Sequence, residues 1–562
     1  MAGAIFVIAV VARLLVALEL SGSPLFDLYV GDSLYYHEWA LRLAAGESDK
    51  SVFFQAPLYP YFLGALYWLF SPDPWTPRVV QAILAGAGCM LLSLSAFRLF
   101  GRRAGWIAGL LAALYAPGVF YDLLVHKSGI ALLLGSLIVF FVTRFLAGNR
   151  TMLATAVMGG VTALAAMAIE HYLIVVPVMV VWMLVSRTIA WQQRMRWVCG
   201  LLLGVSLVQV PFIARNYMVA GEPVVASSSA GLNFWIGNGR GASGHYRSIS
   251  SNPGNIQFEQ QDSMRIASMA LGRQVSGGEA SRWWLDRAWR EIAAQPSAWF
   301  RLMVKKAGLA LLDFELPDED AFGAYVAESR ILNTLGGILR FGMLLPFFAI
   351  GAVVLWNTKK ESRPIIAASM AILCGVILFF VFGRYRYAAA PFMFVVAGSG
   401  AAAFASMSRG KLAAAIAGIA ACVIAFLPLK NSHNAHLNNY LLVGERAYAL
   451  NRFDLAKGMA LRTLPLAPPN WAAPYDLLAQ IYLQTGEWEM AEINIRRVIA
   501  VQPDFPKAYN LLGQILLNVG DARARMGDVD GAIKSYSEVA SMGGAVDADR
   551  QSARSRLERL AR

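Results

Sequence analysis

Apolar residues run in blocks of about twenty through the first three quarters of the chain, then give way to a periodic mix of apolar and charged positions. A hydrocarbon core about 30 Å thick is crossed by roughly 20 residues of helix. The pattern predicts spans near 3–20, 79–98, 104–121, 127–146, 152–169, 170–186, 196–214, 337–356, 364–382, 385–406 and 412–429. Arg13 interrupts the first block and no basic stretch precedes it, so it reads as a span and not as a cleaved signal peptide.

Basic residues cluster in alternate loops: Arg98, Arg102 and Arg103; Arg144 and Arg150; Arg187, Arg194 and Arg196; Lys359, Lys360 and Arg363; Arg409 and Lys411. With eleven spans and the N-terminus inside, all five clusters fall on the cytoplasmic side, as the positive-inside bias requires. Two long loops, about 21–78 and 215–336, then face outward, as does everything after 430. The expected fold is an all-α, polytopic membrane bundle over 1–430, followed by a soluble unit over 436–562.

Composition sharpens this picture. Of 562 residues, 57% are hydrophobic and only 15% charged, against about 25% charged in soluble domains. Mean hydropathy is +0.50. A net charge of +13 would suggest nucleic acid in a soluble protein, but here the cations sit in short loops between apolar blocks, so topology explains them and no nucleic-acid partner is expected. Cys89, Cys199, Cys374 and Cys422 all lie in apolar blocks, with no paired-cysteine metal spacing.

The first outer loop places Asp32, Tyr36 and Ala40 four residues apart, on one helical face. Asp32 stands just beyond the first span, where a carboxylate can serve as a general base or simply cap the helix that follows. Pro57, Tyr59 and Pro60 suit the start of another helix. In the second outer loop, Asn233 and Asn238 flank Phe234-Trp235 amid small residues, a composition suited either to a polar pocket or to an ordinary turn. Tyr36, His37 and Tyr59 join these two asparagines as candidate pocket residues. Trp283, Trp284, Trp289 and Trp299 suggest a helix lying at the membrane interface. Arg384 and Arg386 stand at the outer edge of the tenth span, where guanidinium can take a phosphate bidentately or only reach for headgroups. Arg215 and Lys127 are further outer cations, Asp122 is a second candidate acid, and Glu170-His171 sits where the fifth and sixth spans meet.

Over 436–562 a period of about 34 residues appears. Tyr440, Gly444, Asn451, Phe453, Ala456 and Pro468 align with Tyr475, Ala479, Gly486, Trp488, Ala491 and Pro503. Tyr509, Gly513 and Gly520 open a third copy; after a seven-residue extension, Gly527 and Ala532 restore its register. This is the tetratricopeptide pattern of paired helices, which suits a protein or peptide partner.

Taken together, residues 1–430 resemble the C-type-fold (GT-C) glycosyltransferases that use polyprenyl-phosphate sugars, the superfamily of protein O-mannosyltransferases and aminoarabinose transferases. The marks are Asp32 with Tyr36 and Ala40, Pro57-Leu58-Tyr59-Pro60, and Arg384-Tyr385-Arg386 before Pro391. The run Gly231 to Asn238 is similar to a bacterial subgroup with C-terminal tetratricopeptide repeats. The resemblance implies a hexosyl- or pentosyltransferase in the bacterial inner membrane, its repeats periplasmic, acting on a protein or an envelope glycan or lipid. It makes Asp32 the catalytic base and Arg384, Arg386, Arg215 and Lys127 the donor-phosphate ligands. No cofactor is assigned; a divalent metal beside Asp32 and Asp122 suits the chemistry, but the spacing shows no ligand cluster. Two alternatives stand beside this reading: a glycan polymerase or O-oligosaccharide ligase, for which His245 in the long loop is the one pointer, and a non-enzymatic scaffold or transporter presenting the repeats.

Overall fold

The computed structural model describes residues 1–562 except 48–51, 187–188, 222–223, 225–226, 250–255, 405–409, 429–434 and 562. Arg187 and Arg409 of the basic clusters therefore lie outside the described residues. All regular structure among the described residues is helical, and the chain forms two compact units, Met1–Lys430 and Asn431–Arg562.

In the first unit α1 (Ala2–Leu20) leads to the short α2 (Pro24–Asp27), then α3 (Gly31–Ala44) and α4 (Leu58–Leu69). The chain returns through α5 (Trp75–Phe100), α6 (Arg102–Leu114), α7 (Ala116–Leu123), α8 (Ala131–Leu146), α9 (Met152–Ala166), α10 (Val175–Val185) and α11 (Trp191–Ala220). The long outer loop is itself helical: α12 (Ala230–Asn238), α13 (Ile256–Leu271), α14 (Gly277–Ala294), α15 (Pro296–Leu311) and α16 (Phe322–Glu328). Then come α17 (Arg330–Ile338), α18 (Phe341–Thr358), α19 (Arg363–Leu378), α20 (Gly383–Tyr387), α21 (Ala390–Phe404) and α22 (Lys411–Ala425).

Among the described residues, six stretches are long and apolar enough to cross a membrane, and α6 with α7 makes a seventh if that pair, bent by 55°, is one span. The other four expected spans fall on shorter apolar helices, at Met152–Ala166, Glu170–Val185, Ala390–Phe404 and Lys411–Ala425. The expected tenth span is divided: Arg384 and Arg386 belong to α20, which stands apart from α21. The tryptophan-rich stretch forms α14 and the start of α15, with Trp289 52% exposed. Trp284 is 1% exposed and packs on Trp235 at 4.6 Å, so α14 builds a core within the outer loop.

α1 shows why this unit needs lipid. Val7, Val11, Leu15 and Leu18 are exposed along one face, while Ile5, Ala9, Arg13, Val16 and Ala17 are buried along the other. An outward stripe of large apolar side chains is stable against hydrocarbon and costly against water. The buried face carries a charge, which must be paired at that depth. Arg13 donates from Nε and Nη2 to Asp122 Oδ2 at 2.8 and 2.7 Å, and the Tyr387 hydroxyl donates to Asp122 Oδ1 at 2.9 Å. Asp122 is thus committed to tying α1, α7 and α20 together.

The second unit repeats one motif. α23 (Ala435–Ala449) packs on α24 (Phe453–Thr463), α25 (Ala473–Thr485) on α26 (Trp488–Val501), and α27 (Pro506–Arg525) on α28 (Val529–Ser541), with α29 (Asp547–Leu560) last. Each hairpin turns at a positive-φ residue: Asn451 at 58°, Gly486 at 80° and Gly527 at 83°. Five residues on, Ala456, Ala491 and Ala532 are each fully buried where the helices cross. The seven-residue extension lengthens α27 and leaves the turn intact.

Arg13→Leu leaves Asp122 buried without its cation and should destabilise the first unit by about 3–5 kcal/mol. The double variant Arg13→Leu/Asp122→Leu should lose less than the single one. Thermal melts of the three proteins in one detergent check this; equal melting of Arg13→Leu and wild type would mean the pair bears no load.

Candidate active site

The site is built where α3, the link after α7, the segment before α16 and α20 converge. Asp32 is the second residue of α3, whose N-cap is Val30, with no side-chain cap. Its carboxylate turns inward and is nearly buried. The capping expectation for Asp32 therefore fails: the Asp32 backbone N–H donates instead to Glu319 Oε2 at 3.1 Å. Gly31 makes room for this. Its φ is +51°, and a Cβ there would lie 2.1 Å from Glu319 Cδ.

Three groups surround the Asp32 carboxylate. Arg384 Nη1 lies 2.6 Å from Asp32 Oδ2 and 2.5 Å from Asp318 Oδ2, so one guanidinium is shared by two acids. His126 Nε2 lies 3.1 Å from the same Asp32 oxygen. The Ser128 backbone N–H donates to His126 Nδ1 at 3.1 Å, and His126 Nε2 sits between Asp32 Oδ2 and Arg384 Nη1, 2.6 Å from the latter. Tyr36, on the same face of α3, packs its ring on His126 at 5.4 Å.

Charge sets the protonation of this cluster. Burial opposes ionisation of Asp32, but Arg384 and His126 outweigh it and hold the carboxyl below its ordinary range. Burial, reinforced by Arg384, lowers His126 to about 3, so its ring is neutral. Burial drives Asp318 up to about 7, with Asp32 and Asp320 adding to the rise against the pull of Arg384. Burial and the neighbouring Asp318 and Asp32 push Glu319 well above the usual carboxylate range. Asp318, Glu319 and Asp320 thus crowd more negative charge around Asp32 than Arg384 balances. Oxygens of Asp32, Asp318 and Glu319 all lie within 4.8 Å of one another. That donor set suits a hard divalent cation, whose charge would relieve the excess.

A cavity of about 340 Å³ opens above this cluster. One side is polar, with Asp32, Gln55, Ser227, Ser229, Asn233 and Glu259; another is aromatic, with Phe379, Phe380, Phe382 and Tyr385. Lys127 and Glu170, 3.7 Å apart, also line it, with His171 beside them. Glu259 accepts from the Tyr246 hydroxyl and is pushed up to about 6, chiefly by burial.

Several expected site residues lie elsewhere. Arg386 donates to the carbonyls of Ala310, Leu312 and Phe314 and pairs with Glu315 at 2.7 Å, so it pins the strand of chain that presents Asp318, Glu319 and Asp320. Arg215 stacks over Phe53 at 3.8 Å and donates to Asn216. Asp122 pairs with Arg13 and is outside the cavity. Asn238 accepts from Trp299 and Lys306 and donates to Phe234 and Leu378, bracing the outer loop. Tyr59 donates to Gln81, and His37 Nδ1 lies 2.7 Å from the Tyr67 hydroxyl; neither lines the cavity. Tyr36 supports His126 from behind. Asp32, Lys127, Arg384 and Asn233 do meet at the cavity. His126, Asp318, Glu319 and Glu259 were missed by sequence reasoning. The run Asp318-Glu319-Asp320 in an outer loop was the one available signal.

No family model matches the chain, and no curated protein matches it. Among solved structures, it is similar to the apo oligosaccharyltransferase of Archaeoglobus fulgidus, at 14% identity and a TM-score of 0.43, over 87% of this chain and 60% of that one. The same archaeal enzyme, AglB, in complex with an inhibitory peptide and a dolichol-phosphate, matches at 14% identity and a TM-score of 0.39, over 87% and 59%. ArnT from Cupriavidus metallidurans bound to undecaprenyl phosphate matches at 17% identity and a TM-score of 0.32, over 71% and 77%. The chain thus spans about 60% of the length of the archaeal oligosaccharyltransferase.

Gly31→Ala should displace Glu319 and strain the start of α3, costing more than about 1 kcal/mol because alanine resists positive φ. Adding Glu319→Ala removes the clash and should recover part of the loss. Melting temperatures of the single and double variants check this; no loss in Gly31→Ala would mean Glu319 does not seat against α3.

Proposed function

We propose that this chain is a membrane glycosyltransferase that moves a sugar from a polyprenyl-phosphate-linked donor to an acceptor hydroxyl on the outer face of the bacterial inner membrane. The observation that carries the reading is Arg384, shared between Asp32 and Asp318 at the floor of a cavity with one polar and one aromatic side. A carboxylate and a cation side by side are what the two ends of such a reaction need: a proton acceptor for the nucleophile and a counter-charge for the leaving phosphate. The resemblance of the Asp32 and Arg384 segments to polyprenyl-phosphate-sugar transferases supports it further.

In this mechanism the acceptor oxygen attacks the anomeric carbon and its proton passes to Asp32. The bond from that carbon to the phosphate oxygen breaks, and the electron pair leaves on the polyprenyl phosphate. Arg384 and Lys127 face that developing charge; Arg215 and Arg386 are left out because their guanidinium groups serve Phe53 and the 310–315 carbonyls. Attack opposite the leaving group inverts the anomeric centre. Donor binding also prepares the base. A phosphate that draws Arg384 toward itself loosens the Arg384–Asp32 pair, and Asp32 gains proton affinity as the cation withdraws. His126, neutral and in contact with both Asp32 and Arg384, helps hold the pair in place. A divalent cation on Asp32, Asp318 and Glu319 would supply Lewis-acid stabilisation of phosphate charge.

The topology that suits this reading has eleven crossings, with the cavity outside and the helical hairpins of 436–562 outside as a tetratricopeptide module for a protein or peptide partner. The polymerase alternative loses its pointer, because His245 is exposed and does not line the cavity.

Asp32→Asn keeps the shape of the side chain and removes the proton acceptor. Transfer of labelled sugar from a polyprenyl-phosphate donor in proteoliposomes should fall by roughly 10²–10⁴-fold, with membrane expression unchanged. Near-normal transfer would remove Asp32 as the base and point to Glu259 or Asp318.

A further inference from the structure

A second cavity, about 800 Å³, lies between α10, α18 and α19, at the end of the membrane unit where the basic loops gather. Its walls are apolar: Val178, Val181, Trp182 and Val185 of α10, with Trp356 of α18 opposite. Arg150, Lys360 and Arg363 stand around it, with Glu361 as the one acid.

The pairing of these cations differs from that at the candidate active site. Lys127, Arg384 and Arg386 each face a carboxylate. Arg150 donates only to the carbonyls of Phe145 and Leu146, and Arg363 only to that of Trp356. Among the described residues, no carboxylate pairs with Arg150, Lys360 or Arg363, and Glu361 is not drawn to them. Three uncompensated cations at the mouth of an apolar cavity ask for an anion with a hydrocarbon tail. Val181, Val185 and Trp356 are 60%, 67% and 48% exposed, so the cavity has an open apolar rim.

We infer that this cavity is a binding site for an anionic glycerophospholipid of the inner leaflet, its phosphate held by Arg150, Lys360 and Arg363 and an acyl chain lying between Trp182 and Trp356. Guanidinium and ammonium groups take the phosphate oxygens, and the indoles cover the first methylenes. The inference rests on the proposed membrane placement with the basic loops inside, and is independent of the proposed transfer reaction.

The test is native mass spectrometry of the full-length detergent-purified protein, titrated with phosphatidylglycerol or with phosphatidylcholine. Wild type should bind phosphatidylglycerol more tightly, and Lys360→Gln/Arg363→Gln should weaken that binding by roughly tenfold or more. Val181→Trp fills the cavity without changing charge and should also displace the lipid. Size-exclusion profiles confirm that each variant is folded. Equal binding of the two lipids, or unchanged phosphatidylglycerol binding in both folded variants, overturns the proposal. Tighter binding of a polyprenyl monophosphate that displaces phosphatidylglycerol overturns it as well, by naming a different occupant.

Discussion

One guanidinium organises the outer end of the membrane unit. Arg384 lies against Asp32 and Asp318 together, with Glu319 and Asp320 close behind. At an effective dielectric of about 20, two unit charges about 4 Å apart interact by about 4 kcal/mol. Four carboxylates crowded together, Asp32 buried and the other three half-buried, could not all remain ionised without a cation, and Asp318 and Glu319 already sit above their ordinary range. Asp32 stays ionised because Arg384 and His126 favour it over its neighbours. The same balance makes the site responsive: any anion that engages Arg384 redistributes protons among the acids.

The rest of the unit holds that balance in place. Arg386 fastens the segment before Asp318 through three carbonyls and Glu315, while Tyr121 donates to the other Glu315 oxygen at 2.9 Å. Gly31 lets Glu319 seat on the start of α3. The Arg13–Asp122 pair binds the first span to α7, with Asp122 four residues before His126. Gln81 donates to the carbonyls of Asp122 and Leu124 at 2.9 and 2.8 Å and so fixes that link. These charged and polar side chains support position, and the cavity side chains are left to do chemistry.

Local patterns were legible in the sequence and long-range pairings were not. The apolar blocks mark helices because lipid demands runs of that length, and the spacing of Asp32, Tyr36 and Ala40 gives one buried face of α3. Positive-φ turns at Asn451, Gly486 and Gly527 follow from the repeat, since each is the residue type that tolerates that conformation. Two blocks gave helices shorter than expected because the turn at Glu170–Ile174 and the short helix Gly383–Tyr387 use residues that hydropathy counts as span. His126 and Glu319 reach Asp32 across 94 and 287 residues, and no periodicity carries such a contact. Arg384 and Arg386 carry the same charge two residues apart, yet helical positions i and i+2 point apart, so Arg384 faces the cavity and Arg386 the carbonyls of 310–314.

The central claim is that Arg384 exchanges a carboxylate partner for the phosphate of a polyprenyl lipid. The direct measurement is equilibrium binding of a fluorescent polyprenyl monophosphate to the purified full chain, comparing wild type with Arg384→Lys and Arg384→Gln. The account predicts saturable binding that weakens in Arg384→Lys, which keeps the charge but loses the fork, and falls by roughly 30-fold or more in Arg384→Gln. Equal affinity in all three proteins would contradict it.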